Sequence, residues 1–120
     1  MQLTAFLPFV AFLTATEAAI SCNGAGSPSW DDRNDAKYHI GRACRGYDGK
    51  KGALQGVFPA NGIKGFCYQK TNIRYGIQIQ NLNTRQSFNL DDNHCAEGLQ
   101  AIVNACQRGG SQTIAGWEYQ

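Results

Sequence analysis

The chain has 120 residues and a formal charge of +2, and 42% of its residues are hydrophobic and 17% charged. This length allows one domain. The basic residues are scattered from Arg33 to Arg108, with only Lys50 and Lys51 adjacent, so the clustered positive charge of a nucleic-acid-binding protein is missing and no nucleic-acid partner is expected.

The chain begins with an apolar segment, MQLTAFLPFVAFLTATEA, in which the first charged residue is Glu17. The run from Leu3 to Leu13 is too short to span a bilayer, and small residues stand where cleavage after Ala18 requires them. We predict a signal peptide over residues 1–18 and a secreted domain over 19–120. A buried N-terminal helix is the alternative, and the lack of a polar face disfavours it.

A first helix is predicted within WDDRNDAKYHIGRACRG, residues 30–46. Ser29 or Asp31 can cap its start, and Gly46 suits its end. Four apolar residues recur with the spacing of one helical face: Ala36, Ile40, Ala43 and Cys44.

Several strands are predicted in the middle of the chain. LQGVF at 54–58 and FCYQ at 66–69 are short candidates. The clearest strand is IRYGIQIQNL at 73–82, in which apolar and polar residues alternate as in an antiparallel sheet with one packed face. After a turn at 81–84, RQSFNL at 85–90 is expected to return alongside that strand.

The second helix is predicted around HCAEGLQAIVNAC, residues 94–106. Asp91 or Asp92 caps it, and Gly109 and Gly110 are expected to end it. Its apolar stripe is the longest in the chain: Cys95, Leu99, Ile102, Val103 and Cys106. With a last strand at 113–119, the elements predict an α+β fold, an antiparallel sheet with two helices packed on one face.

Five cysteines in a secreted chain of this size predict disulfide bonds. No pair has CxxC spacing, and His94 and Cys95 point about 100° apart on a helix, so no metal site is expected. Cys95 and Cys106 lie on the apolar stripe, which disfavours the thiolate of a nucleophile. They cannot pair with each other, because eleven helical residues span about 16 Å. An odd count leaves one thiol free or paired between chains.

Four sequence features together resemble one family. They are ISCNGAGS at 20–27, the 22-residue spacing from Cys22 to Cys44, the strand IRYGIQIQN, and the 11-residue spacing from Cys95 to Cys106. The chain resembles the killer toxins first known from viruses of the corn-smut fungus, of the single-chain type that blocks calcium channels.

The resemblance implies a pairing of the cysteines. Carried over from the family, it gives Cys22–Cys106 and Cys67–Cys95. In the family the cysteine that ends the first helix pairs with one near the C-terminus, and GWEYQ holds none. The resemblance therefore leaves Cys44 as the free thiol, or as a bridge between two chains.

The first functional hypothesis is a non-enzymatic toxin or effector that binds a target on the surface of a competitor or host cell. The resemblance implies an ion channel, specifically a calcium channel, as that target. The lysines of the Gly-rich loop, Lys50, Lys51 and Lys64, are the predicted contacts, although they could equally serve only to keep the loop soluble. We expect a monomer without a cofactor and without a membrane span.

Two other functions are consistent with the sequence. A secreted ribonuclease-like hydrolase could use His39 and His94 with a carboxylate such as Glu97, although the chain has neither GxSxG nor HExxH. A cell-wall carbohydrate-binding module could stack sugars on aromatic rings, for which the candidates are Trp30, Tyr47, Tyr68, Trp117 and Tyr119.

Overall fold

A computed structural model describes residues 20–70 and 72–120, so the predicted signal peptide lies outside the described residues. In chain order the elements are β1 (Ser21–Cys22), α1 (Arg33–Arg45), β2 (Val57–Phe58), β3 (Ile63–Lys70), β4 (Ile73–Asn81), β5 (Phe88–Asn89), α2 (Asp92–Ala105), β6 (Gly110–Ile114) and β7 (Trp117–Tyr119). The main sheet is antiparallel with strand order β1-β6-β7-β4-β3, and β2 pairs with β5 in a separate ribbon. The predicted α+β fold is confirmed.

Both helices begin at an aspartate whose side chain accepts backbone hydrogen bonds. In α1 this residue is Asp32, not the predicted Ser29 or Asp31. The backbone N–H of Asp31 donates instead to the Tyr75 hydroxyl at 3.0 Å, which holds Asp31 against the sheet. Asp91 caps α2 as predicted.

The two helices end differently from each other. Gly46 ends α1 with a φ of 81°, a left-handed backbone that glycine adopts without strain. The helix α2 ends at Ala105, earlier than the predicted Gly109, because Cys106 takes an extended backbone that carries its sulfur to Cys22. Within the described residues, neither helix is long and apolar enough to cross a bilayer.

The helices cover one face of the main sheet, and the alternation predicted for β4 is confirmed. Tyr75, Ile77 and Ile79 are buried, whereas Arg74 and Gly76 face outward and are exposed. The predicted helical stripes are all buried in the same core, together with residues from the strands and loops: Leu54, Phe58, Leu90 and Tyr119.

The segment RQSFNL does not return alongside β4, which corrects the prediction. Phe88 pairs with Phe58 in the small ribbon, and β4 pairs with β3 and β7. The cause is Asn81, 1% exposed, whose Nδ2 donates to the carbonyl groups of Phe58, Pro59 and Gln86. These bonds hold the chain beyond β4 against the ribbon.

The predicted last strand is a hairpin. Ala115 and Gly116, with φ angles of 49° and 87°, form a two-residue turn between β6 and β7. Positive φ at both central residues is the geometry that suits the twist of such hairpins. The turn pairs Ile114 with Trp117.

One of the two disulfides implied by the resemblance is confirmed and the other is wrong. Cys22 pairs with Cys106, with their Cα atoms 5.3 Å apart. Cys95 pairs with Cys44, not with Cys67, and Cys67 is the exposed free cysteine among the described residues. The helices pack against each other with Cys44 and Cys95 buried between them, whereas Cys67 lies on the outer face of β3 beside Gly76.

Candidate target-binding site

Two of the three predicted lysines converge at Gly56, in the loop between α1 and β2. A Cβ built on Gly56 would lie 2.6 Å from the Nζ atom of Lys51 and 3.1 Å from that of Lys64. Gly56 has a φ of +98°. The absence of a side chain at this residue therefore leaves the space in which the two ammonium groups meet.

The position of Lys64 is fixed by two contacts. Its Nζ donates a hydrogen bond to the Gln55 carbonyl at 2.7 Å and lies 4.8 Å from the centroid of the Phe58 ring. Phe58 is fully buried, so the lysine lies over the edge of the core. Burial, and then the positive charge of Lys51, lower the pKa of Lys64 below its usual 10.5.

The loop that carries Lys51 is docked on the helices. The backbone N–H of Leu54 donates to the Ala43 carbonyl at 3.0 Å, and the Leu54 side chain is buried. Gln55 accepts from the N–H of Gly52 at 2.7 Å and donates to Asp92 at 2.9 Å. These contacts give the lysine loop a defined shape, as a preformed recognition surface requires.

Lys50 belongs to a different part of the same loop. Its backbone exchanges two hydrogen bonds with Tyr47, at 2.7 and 3.1 Å, and its side chain is exposed. Lys51, and not Lys50, is the cation that lowers the pKa of Lys64. The structure therefore brings together two of the three predicted lysines.

The lysine pair has an unusual surrounding for surface cations. None of the ion pairs within the described residues involves Lys51 or Lys64. The residues next in sequence to Gly56 and Lys64 are exposed and apolar, since Val57 is 58% exposed and Ile63 is 55% exposed. The site is thus cationic with apolar flanks.

The two histidines of the hydrolase alternative are not brought together by any contact within the described residues. His39 stacks on Tyr68, with ring centroids 4.2 Å apart, and its Nε2 lies 3.8 Å from Asp35. His94 and Glu97 are exposed on α2, and the backbone N–H of His94 serves the helix cap at Asp91.

Four of the five candidate sugar-binding aromatics pack in or against the core, Tyr119 buried and Trp30, Tyr68 and Trp117 half-buried. Trp30 and Tyr68 both stack on Tyr75, at 5.4 and 5.0 Å between centroids. Trp117 packs its edge on Phe58, and Tyr119 is 3% exposed. The more exposed ring of Tyr47 has the guanidinium of Arg42 over its face at 3.7 Å. No row of free aromatic faces is formed by the five candidates.

No family model matches the chain, and no curated protein matches it. The functional argument therefore starts from the geometry of the lysine pair. Sequence reasoning missed the residues that build it, Gln55, Gly56 and Phe58. The one available signal was Gly56, a glycine between a polar and a β-branched residue in the predicted strand at 54–58. Glycine weakens a strand, so its presence there can indicate that another group approaches the backbone closely.

Proposed function

We propose that the protein is a small, secreted, non-enzymatic toxin or effector that binds an anionic group on a cell-surface target through Lys51 and Lys64. The observation that carries this proposal is the convergence of two ammonium groups over Gly56, with no carboxylate partner among the described residues. Like charges held together repel each other, so the pair is stabilised when an anionic group binds between them.

The disulfides support an extracellular place of action. Two bridges join distant parts of a small domain, and such bridges form and persist in oxidising compartments. The apolar segment at residues 1–18, predicted as a signal peptide, provides the route of export.

A calcium channel is the target that the resemblance to the corn-smut killer toxins implies. Cation channels carry rings of aspartate and glutamate at their selectivity filters. A rigid pair of lysines with exposed Val57 and Ile63 beside it has the charge and the apolar flanks to dock at such a ring.

The test uses the secreted, disulfide-bonded protein on competitor fungi and on host cells. Growth inhibition and calcium influx, followed with a fluorescent indicator, are measured for the wild type, for Lys51→Gln with Lys64→Gln, and for the matched control Lys50→Gln. We expect the double variant to lose at least about tenfold in potency, as loss of two charge-assisted contacts predicts. Lys50→Gln should keep wild-type potency.

Two results would overturn the proposal. Full potency in the double variant, with an unchanged circular dichroism spectrum, would exclude the lysine pair as the contact. RNA cleavage by the purified protein that is abolished in His94→Ala would show that the protein is an enzyme instead.

A further inference from the structure

The lysines of the chain differ in the charges that surround their amines. The Nζ of Lys70 lies 4.0 Å from a carboxylate oxygen of Asp32 and 3.7 Å from one of Asp35, and such partners favour the ammonium form. Lys64 has no carboxylate partner among the described residues, and the charge that it meets is a second cation, Lys51. A nearby like charge favours the neutral amine instead.

Lys64 also lies against an apolar surface. Its Nζ is 4.8 Å from the centroid of the Phe58 ring, which is fully buried, and its own side chain is half-buried. The loss of water around an amine disfavours its charged form. Burial and the charge of Lys51 therefore act in the same direction, and together they lower the pKa of Lys64. A lysine in such a setting has more of the neutral form, which is the nucleophile.

The amine of Lys64 is held in a defined orientation. It donates one hydrogen bond to the Gln55 carbonyl at 2.7 Å, so the lone pair of the neutral amine points away from that carbonyl. Gln55 is itself fixed, because its side chain accepts from the N–H of Gly52 at 2.7 Å and donates to Asp92 at 2.9 Å. Asp92 thus contacts this loop through the amide of Gln55. A nucleophile that is positioned in advance loses less freedom when it reacts.

Lys51 provides a second point of contact for a ligand. The Nζ atoms of Lys51 and Lys64 lie 2.6 and 3.1 Å from the same point beside Gly56. When Lys64 reacts as the neutral amine, Lys51 remains as an ammonium group that can hold an oxyanion. Val57 and Ile63, next in sequence to Gly56 and Lys64, are exposed and can contact the apolar body of a small molecule.

We propose that Lys64 is a carbonyl-reactive amine, which forms an imine with a small aldehyde that carries an anionic group bound by Lys51. The neutral amine attacks the carbonyl carbon, a C–N bond forms, and the carbinolamine loses one water molecule. The proton that left the ammonium group of Lys64 returns to the imine nitrogen. No electrons are transferred, and no further reactant is needed. The reaction uses the geometry of the lysine pair without a cell-surface target, so it does not depend on the proposed toxin or effector function.

The probe is pyridoxal 5′-phosphate, in which the aldehyde and the phosphate stand on neighbouring ring carbons. One equivalent is added to the secreted, disulfide-bonded protein, the imine is reduced with sodium borohydride, and the labelled lysines are identified by peptide mass spectrometry. We expect Lys64 to carry at least about ten times the label of Lys70, since one pKa unit changes the fraction of neutral amine about tenfold. Lys37 and Lys50 should also carry less label than Lys64.

Pyridoxal, the same aldehyde without the phosphate, measures the role of Lys51. With labelling normalised to Lys37, the phosphate should increase labelling of Lys64 at least about fivefold, as a charge-assisted contact predicts. Lys51→Gln should remove this preference for the phosphate, because the anion loses its cation. The matched change Lys50→Gln should preserve the preference.

Glu17 is the acidic residue that lies outside the described residues, and the predicted cleavage after Ala18 removes it. The N-terminus of the secreted protein is therefore determined by mass spectrometry. If Glu17 is retained, the wild type and Glu17→Gln are labelled in parallel, and both should react at Lys64. A reaction that occurs only in Glu17→Gln would overturn the proposal, because the N-terminal segment would then occupy the lysine pair.

The proposal is also overturned if Lys37, Lys50 or Lys70 carries as much label as Lys64, or if Lys51→Gln keeps the preference for the phosphate. The cell assays separate this result from the fate of the toxin or effector function. Loss of potency without selective labelling would reject the imine alone, whereas selective labelling with full potency in the double lysine variant would support the imine and reject the lysine pair as the target contact.

Discussion

The ring of Tyr119 in β7 lies directly on the backbone of Gly98 in α2. A Cβ built on Gly98 would be 2.5 Å from the nearest ring carbon, closer than real side chains allow. Beside this contact, Gln112 Nε2 donates to the Gly98 carbonyl at 2.8 Å. The glycine therefore sets the distance between the helix and the middle of the sheet.

Replacement of Gly98 by alanine should destabilise the protein. The methyl group must displace a buried ring, and overpacking of this kind costs about 1–3 kcal/mol, more than the gain in helix propensity. Urea unfolding followed by circular dichroism measures the change. Gly41→Ala in α1 is the matched control, because its Cβ would meet only the Arg45 side chain at 3.8 Å, and it should stabilise the protein by about 0.5–1 kcal/mol. Equal effects of the two substitutions would contradict this packing argument.

The helices and the central strand could be predicted because their signal is local. Two local patterns indicate which face is buried, the stripe from Ala36 to Cys44 and the alternation from Ile73 to Ile79. Every apolar residue of these two patterns except Ile73 is buried as expected. The partner of a strand is not a local property. The segment at 85–90 looks like the return of a hairpin, but the buried amide of Asn81 and the ribbon strand β2 decide its position.

Disulfide pairing was predicted only in part for the same reason. The sequence shows that Cys95 and Cys106 cannot bond to each other, but the choice between Cys44 and Cys67 as the partner of Cys95 depends on how α1 packs on α2. The structure gives Cys44–Cys95 and leaves Cys67 exposed.

Mass-spectrometric mapping of the native protein should find Cys22–Cys106 and Cys44–Cys95, with alkylating reagent on Cys67. The variant Cys44→Ser should lose about 2–5 kcal/mol of unfolding free energy, because a native bridge between the helices is removed. Cys67→Ser is the control and should unfold like the wild type within about 0.5 kcal/mol, since an exposed surface residue contributes little. A mapped bond between Cys67 and Cys95 would show this assignment to be wrong.

The candidate site could be predicted only as a set of lysines. That Lys51 and Lys64 converge while Lys50 does not depends on the left-handed backbone of Gly56 and on the carbonyl of Gln55, which accepts from Lys64. A periodic pattern of apolar residues indicates neither the path that a loop takes nor the direction in which one of its carbonyl groups points.

The coupling between the two lysines predicts a change in pKa. Substitution Lys51→Gln removes a nearby positive charge, so the pKa of Lys64 should rise, while burial still keeps it below 10.5. Carbon-detected NMR titration of the lysine ε-methylene groups measures this shift. Lys50→Gln should leave the Lys64 titration unchanged, and a shift of equal size in that variant would contradict the pairing at Gly56.

The protein should lose stability at alkaline pH, because burial, followed by the charge of Asp35, raises the pKa of Tyr68 above its usual 10. Burial also raises the pKa of Tyr119. The pKa of each hydroxyl is higher in the folded state than in the unfolded chain, so its stabilisation of the folded protein is complete below pH 10. This stabilisation is lost as the pH rises from 10 toward the folded-state pKa, because the unfolded chain ionises first. Urea unfolding from pH 8 to 11.5, with absorbance at 295 nm, follows both events.

Tyr68→Phe isolates the contribution of this ring within the aromatic stack. The variant cannot ionise at this residue, so its unfolding free energy should fall less steeply above pH 10 than that of the wild type. Tyr38→Phe, at a ring that is 57% exposed, should keep the wild-type slope. If Tyr68→Phe and the wild type show the same slope, then Tyr68 ionises as readily in the folded protein as in the unfolded chain. The packing of its ring between His39 and Tyr75 would then not shield the hydroxyl from water.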